Sequence, residues 1–273
     1  MRGKRVAKPR TVLVTGASSG LGLATASLLA SRGFVVFGTS RDPSKAGRRD
    51  FQMLTLDVDS DDSVRTCVQD VVDQAGNLDV LVNNAGYALT GAIEETSTME
   101  AKSQFETNFF GVVRLVNRVL PIMRIRRSGQ IINVGSIAGL AGSPLEGFYT
   151  AAKFALEGYT ESLRLEVREF NIKVSILDAG FFKTNIGSNA KSPSSPLIAY
   201  DEQRKKVGSV RQRRRKIALV PAVFAEAVLR IVRSNSPRFR YTVGGETWYP
   251  RIASARPPSA AETDVRKFWN LGN

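Results

Sequence analysis

The sequence predicts a single α/β domain: a doubly wound parallel sheet with helices on both faces. Three observations lead there. Five short runs are dominated by Val, Ile and Leu, helix-length spacers separate them, and a glycine-rich turn joins the first run to the first spacer. Near-continuous apolar strands suit a sheet covered on both sides, and helical crossovers join parallel strands in a right-handed sense. A chain of 273 residues is accommodated by one such domain.

The first strand is Thr11 to Thr15, and an apolar helix with Leu23, Ala24, Ala26, Leu28 and Leu29 follows the turn. Val35 to Thr39 is the next strand. The spacer after it reads as an amphipathic helix holding Val64, Cys67 and Val68; the lone Cys67 has no disulfide partner and reads as a small core or boundary residue. Asp79 to Asn83 is a third strand. Ser97 to Glu100 has capping-box spacing and opens a long helical stretch over residues 102–127. Gln130 to Gly135 and Lys173 to Asp178 are strands around a helix at 148–168, whose Phe148, Ala152, Ala155, Tyr159, Leu163 and Val167 form one stripe. Pro221 to Ser234 reads as a further amphipathic helix. Between them, residues 182–217 break the alternation with Ser192, Pro193 and Pro196 and are expected to form a mobile loop. The boundaries follow: a basic extension at 1–10, the domain at 11–245 with this segment inside it, and a tail at 246–273 in which Pro257 and Pro258 suggest a loose end.

Composition narrows the chemistry. The chain contains no histidine, which excludes Ser-His-Asp and Cys-His mechanisms and most zinc sites, so proton transfer falls to Tyr, Lys, Asp, Glu or water and no metal is expected. No run approaches the roughly 18 apolar residues of a membrane helix, and no leader pattern opens the chain, so a soluble, unprocessed cytoplasmic protein is expected. The net charge of +14 is concentrated at Arg2, Lys4, Arg5, Lys8 and Arg10 and in eight basic residues from Arg204 to Lys216.

The turn reads Thr15-Gly16-Ala17-Ser18-Ser19-Gly20-Leu21-Gly22 between strand and helix. Gly16 permits the tight turn, Gly20 lets backbone N–H groups approach a pyrophosphate at the helix N-terminus, and Gly22 lets helix and strand pack closely. After the second strand, where an NAD enzyme usually presents an acid, this chain has Thr39-Ser40-Arg41. A guanidinium there can pair with a 2′-phosphate, so NADP(H) is the expected cofactor.

Ser136 follows a strand, and Tyr149 and Lys153 share one helix face at i, i+4. A phenol with a pKa near 10 needs a neighbouring cation to stabilise its anion, and Lys153 is placed to supply it.

Together the TGxxxGxG turn, the YxxxK segment Tyr149-Thr150-Ala151-Ala152-Lys153, Ser136 and Asn108 resemble the short-chain dehydrogenase/reductase family over about residues 11 to 245. The resemblance implies a Rossmann-type sheet and a carbonyl–alcohol oxidoreductase. It implies that Tyr149 moves the hydroxyl proton, Ser136 binds the substrate oxygen, Lys153 binds the nicotinamide ribose and lowers the tyrosine pKa, and Asn108 holds a water leading from Lys153 to solvent. It further implies adenine contacts at Asp57 and Val58 and pocket closure by Asn83-Asn84-Ala85-Gly86. Of the family's segment beside the nicotinamide, Gly180 and Thr184 match while Ala179 stands where proline is usual; Phe182 lies between. The glycine turn also departs from many NADP-dependent relatives, with Ser18 and Ser19 where a basic residue is common.

Tyr87, the Gly139 to Gly147 stretch, Phe181, Phe182 and the 182–217 lid would line an apolar substrate pocket. Similarity to 17β-hydroxysteroid and retinol dehydrogenases suggests a hydrophobic ketone, aldehyde, steroid- or retinoid-like substrate. The stripes around Phe105 to Val119 and Tyr149 to Val167 resemble those that pair family members into homodimers or homotetramers. Arg211, Arg213, Arg214, Arg215 and Lys216 could attract an acidic carrier, an anionic membrane surface or the cofactor phosphates; no motif supports nucleic-acid binding. The alternatives are a noncatalytic NADP-binding sensor or scaffold, which would not need the four catalytic positions, and a sugar-nucleotide epimerase, which would need a larger C-terminal region.

Overall fold

The computed structural model describes residues 8–187, 190–246 and 258–271. Seven parallel strands form one sheet in the order β3-β2-β1-β4-β5-β6-β7: β1 (Thr11–Val14), β2 (Val35–Ser40), β3 (Gln52–Thr55), β4 (Val80–Asn83), β5 (Gly129–Ser136), β6 (Ile172–Ala179) and β7 (Arg240–Val243). The doubly wound architecture expected from the apolar runs is present. The two edge strands, β3 and β7, are not marked by those runs because neither is wholly buried and their QMLT and RYTV segments are only partly apolar.

The helices are α1 (Gly20–Ser31), α2 (Asp61–Ala75), α3 (Thr98–Phe105), α4 (Gly111–Arg126), α5 (Gly147–Glu166), α6 (Asp201–Ile217), α7 (Pro221–Arg233) and α8 (Pro258–Phe268). One face of the sheet is covered by α1 and α7 through Ala26, Leu29, Phe224, Val228 and Val232. The other is covered by α2, α4 and α5 through Val64, Val68, Leu115, Val119, Leu156 and Leu163. The strand order reverses between β1 and β4, and at such a switch point the carboxyl ends of the strands diverge to leave a crevice.

Local signals explain the boundaries. Ser60 accepts from the Ser63 N–H to start α2, and Gly76, at φ +79°, ends it in the left-handed region that glycine enters at little cost. Ser97 and Glu100 form the expected capping box on α3. The stretch expected as one helix over 102–127 is divided: residues Glu106–Phe110 make a π turn closed by Gly111 N–H to Glu106 O.

The basic segment departs from the expected mobile loop, because its charge-rich half is the helix α6. Asp201 and Glu202 occupy its first turn and Arg214, Arg215 and Lys216 its last, matching the helix dipole at both ends. Val207 and Val210 anchor it in a small apolar cluster with Ala92, Leu145 and Trp269. Glu95, buried beneath, accepts from Leu197 N–H at 2.6 Å and pairs with Arg204. The tail is likewise structured where it is described: Pro258 begins α8, and Phe268 and Trp269 pack with α6. Pro257, Arg2, Lys4 and Arg5 lie outside the described residues.

Candidate active site

A cleft of about 740 Å³ opens at the carboxyl ends of the strands. Its walls include Gly16, Ser18, Ser19, Leu21, Arg41, Asp57, Val58, Asn84, Ala85 and Gly86 from the expected cofactor set. Asn108, Ser136, Tyr149 and Lys153 line the same cleft, as do Tyr87, Gly180, Phe181, Phe182 and Thr184. Gly20 and Gly22 stand behind the wall. A Cβ on Gly22 would lie 2.2 Å from Gly16 O and 2.5 Å from Asn84 Nδ2, so this glycine makes the close approach read from the motif. Gly16 and Gly20 have φ of +66° and +57°.

The turn is bound to the segment after β4. Thr15 Oγ1 accepts from the N–H groups of Asn84 and Ala85, both at 2.9 Å, and Asn84 Nδ2 donates to Thr15 O and Gly16 O. Ser19 begins α1 without a side-chain cap and no acid occupies the first turn, which suits an anion at the helix N-terminus. The donor set therefore fits a dinucleotide. Arg41 follows β2 on the cleft wall with no carboxylate within 4.0 Å among the described residues.

One arginine on this side escaped the sequence reading. Arg49, on the loop before β3, donates to Ser18 O at 3.5 Å, and its buried Nε has no hydrogen-bond partner among the described residues. It brings a cation to the turn that lacks one in its own sequence; the Gly47-Arg48-Arg49 run was the only signal.

At the catalytic end, the π turn presents Asn108, whose side chain clamps Tyr87: Nδ2 donates to Tyr87 O at 2.9 Å and Oδ1 accepts from Tyr87 N–H at 3.1 Å. Ser136 ends β5, and Tyr149 and Lys153 lie one turn apart on α5, with Lys153 Nζ 5.9 Å from the tyrosine ring centre. Burial pushes the Tyr149 phenol up to about 12; a hydrogen bond from Ser136 opposes this and Glu146 adds to it. Burial lowers the Lys153 ammonium to about 8 against the raising influence of Asp178 and Glu157. Lys153 Nζ donates to Val134 O at 2.8 Å. Burial is the first cause of both shifts, and no influence of Lys153 stands among those acting on the Tyr149 phenol.

Behind Lys153 lies a second group that no motif announced. Asp178 is fully buried, Glu157 nearly so, and Arg240 from β7 donates to Glu157 Oε2 at 2.6 Å and lies 3.4 Å from Asp178 Oδ2. Burial and the neighbouring Glu157 drive the Asp178 carboxyl well above its ordinary range. Gly135 makes room for the pair, since a Cβ there would be 2.1 Å from Asp178 Oδ1.

A doubly wound sheet with this cleft has the architecture of dinucleotide-binding α/β proteins, here with a tyrosine–lysine pair on the cleft wall. The short chain dehydrogenase family profile matches residues 10–194, and the chain belongs to that family. It is 40% identical over 268 residues to 3-ketodihydrosphingosine reductase of Bacteroides thetaiotaomicron, covering 97% of this chain and 99% of the relative. It is 45% identical over 187 residues to retinol dehydrogenase 8 of Homo sapiens, covering 64% of this chain and 59% of that protein. Among solved structures, a short-chain dehydrogenase from Streptomyces avermitilis superposes with a TM-score of 0.80 at 32% identity, over 96% of this chain and 98% of that one. An actinorhodin polyketide ketoreductase with NADPH gives 0.74 at 27% identity, over 86% and 95%.

Proposed function

We propose that the protein is an NADP(H)-dependent oxidoreductase that interconverts a carbonyl and an alcohol on a hydrophobic substrate. The observation that carries this is the convergence of Asn108, Ser136, Tyr149 and Lys153 on one cleft with the glycine turn. When bound, the reduced nicotinamide supplies the hydride. Tyr149, proton-bearing at neutral pH, donates its proton to the carbonyl oxygen, and the Ser136 hydroxyl hydrogen-bonds the same oxygen. Lys153, easily deprotonated for a lysine, then restores the phenol, and Asn108 holds the water that links Lys153 to solvent. Arg41 and Arg49 support a preference for the 2′-phosphate over the plain ribose. The adenine end falls to Asp57 and Val58.

Phe181, Phe182, Ile186 and Trp269 give the cleft apolar walls suited to a hydrophobic ketone, aldehyde, or steroid- or retinoid-like compound. The lid is the segment 182–217, with α6 as its rigid part. Homo-oligomers would use what the helices leave outside: Ala152, Leu163 and Val167 of the α5 stripe are buried in this chain's own core, while Phe154, Leu165 and Phe110 are exposed. No helix among the described residues is long and apolar enough to cross a membrane, and a cytoplasmic location agrees with that.

The test is purified protein with NADPH and a panel of hydrophobic ketones and aldehydes, followed by loss of reduced nicotinamide absorbance beside Tyr149→Phe. Turnover that drops at least about a hundredfold in the variant supports the mechanism, as expected when a positioned proton donor is removed. Near wild-type turnover in Tyr149→Phe overturns it, and tighter binding of NADH than NADPH overturns the cofactor assignment.

A further inference from the structure

The lid side of the cleft carries positive charge that the fold does not neutralise. Three cations line it there: Lys191, Arg211 and Arg215. Among the described residues only Arg211 is paired, with Glu146 at 3.0 Å. The other carboxylates on the cleft wall, Asp57 and Asp59, follow β3; Asp59 accepts from Thr107 Oγ1 at 2.9 Å and acts on the Tyr87 phenol, but forms no ion pair with Lys191 or Arg215 among the described residues. Among the described residues neither Lys191 nor Arg215 has a carboxylate within 4.0 Å.

The main chain beneath both cations is anchored. Lys191 Nζ sits 4.4 Å from the centre of the Tyr87 ring, and Tyr87 is the residue that Asn108 clamps, so the ammonium is registered to the catalytic end. The Lys191 main chain is fixed by its N–H to Ala88 O and by its O to Thr90 N–H. The Arg215 guanidinium lies over Gly187, 3.1 Å from where a Cβ would be, on the strap that leads to Lys191. Arg215 comes from the last turn of α6, a helix anchored by Val207, Val210 and the Glu95–Arg204 pair. Apolar walls below and two unpaired cations at the mouth match a ligand with an apolar body and an anionic end.

We infer that the substrate is a hydrophobic carbonyl compound bearing a carboxylate or phosphate, whose charge is received by Lys191 and Arg215. This rests on the reductase reading above. It adds a charge requirement that an apolar ketone, steroid or retinoid would not satisfy.

The experiment uses aliphatic ketones of one chain length that end in a carboxylate, a phosphate monoester, a neutral amide or an ammonium, reduced with NADPH by the full chain. At low ionic strength, kcat/KM for the anionic ketones exceeds that for the amide by about twofold to thirtyfold, the range for two solvent-facing charge pairs. The ratio shrinks as salt shortens the Debye length to about 3 Å at 1 M. In Lys191→Gln/Arg215→Gln the ratio falls to near one, and in Lys191→Glu/Arg215→Glu the ammonium ketone becomes the better substrate. The carboxylate and phosphate arms show which anion is received. Calorimetric binding of the carboxylate- and ammonium-ended alcohols in the same variants reads the charge preference without turnover. If no ketone is reduced, the reductase reading fails while this binding still decides the anion site. Equal handling of the anionic and amide ligands overturns the inference. So does a double Gln variant that weakens NADPH binding and leaves the anion-to-amide ratio unchanged, since the cations would then serve the cofactor.

Discussion

Gly22→Ala is the sharpest test of how the glycine turn is built. The new methyl would sit 2.2 Å from Gly16 O, 2.9 Å from Gly16 C and 2.5 Å from Asn84 Nδ2. Non-bonded carbon contacts are comfortable at about 3.5–4.0 Å, so the turn or the start of α1 must retreat by more than about 1 Å. Neither partner gives easily: Gly16 is main chain, and Asn84 Nδ2 is engaged with Thr15 O at 2.8 Å and Gly16 O at 3.2 Å. Overpacking costs about 1–3 kcal/mol, and stranding a buried donor or acceptor about 1–3 more, so the loss should reach about 3 kcal/mol. That is a large part of a typical stability of about 5–15 kcal/mol.

Two other glycines serve as controls because they differ in one term each. At Gly20 a methyl would make only ordinary contact, with Thr184 Cγ2 3.5 Å away, but its φ is +57°, so Gly20→Ala should cost about 1–2 kcal/mol from backbone strain alone. Gly158, inside α5 with nothing within 4 Å of its Cβ position, should gain about 0.5–1 kcal/mol as alanine. Urea unfolding of the three variants without cofactor gives the ranking, and NADPH titration reports the turn directly. A Gly22→Ala protein as stable as Gly20→Ala would refute the close-approach argument.

Further expectations follow from the buried charges. The Asp178 carboxyl has a raised proton affinity when folded, so the folded state binds more protons than the unfolded chain, and stability falls as pH rises above about 4. Asp178→Asn removes that dependence and should gain on the wild type between pH 5 and pH 8 (about; range set by the ordinary carboxylate pKa) in urea melts; parallel pH curves would sink the idea. Lys153 has the opposite sign: lowered to about 8, it binds fewer protons when folded, so wild-type stability should rise from pH 8 toward about 10 relative to Lys153→Met. Arg204→Gln leaves the buried Glu95 carboxylate without its cation, and hydrogen exchange over residues 197–210 should speed up by at least about tenfold, consistent with the roughly 3–5 kcal/mol cost of breaking such a pair. Unchanged exchange there would show that α6 does not depend on this anchor.

What could be read from the sequence was what lies contiguous in it. The glycine turn, the Tyr149–Lys153 pair and the five inner apolar runs each carry their signal within a few residues, because backbone geometry and helix pitch place their members together. Strands buried on both faces advertise themselves; β3 and β7 sit at the edges, so partial exposure relaxed the apolar pattern that would have marked them. Arg49 and the Glu157–Asp178–Arg240 group depend on partners from separate elements, and nothing local says that Arg49 returns to Ser18 or that Arg240 crosses to α5.

The basic run shows the same limit from the other side. Charge density alone suggested a solvated loop, yet Arg and Lys are good helix formers, and Val207 and Val210 supply a three-residue-spaced apolar anchor within the run. Once α6 is a helix, its charges cease to be equivalent. Arg204 and Arg211 are consumed by Glu95 and Glu146, Arg214 by Glu246, and Arg215 is left facing the cleft with no acid within 4.0 Å among the described residues. Total charge could not separate these roles, since it counts Arg204 and Arg215 alike. The distinction rests on which carboxylates the fold brings within reach, and the proposed anion site is argued from it.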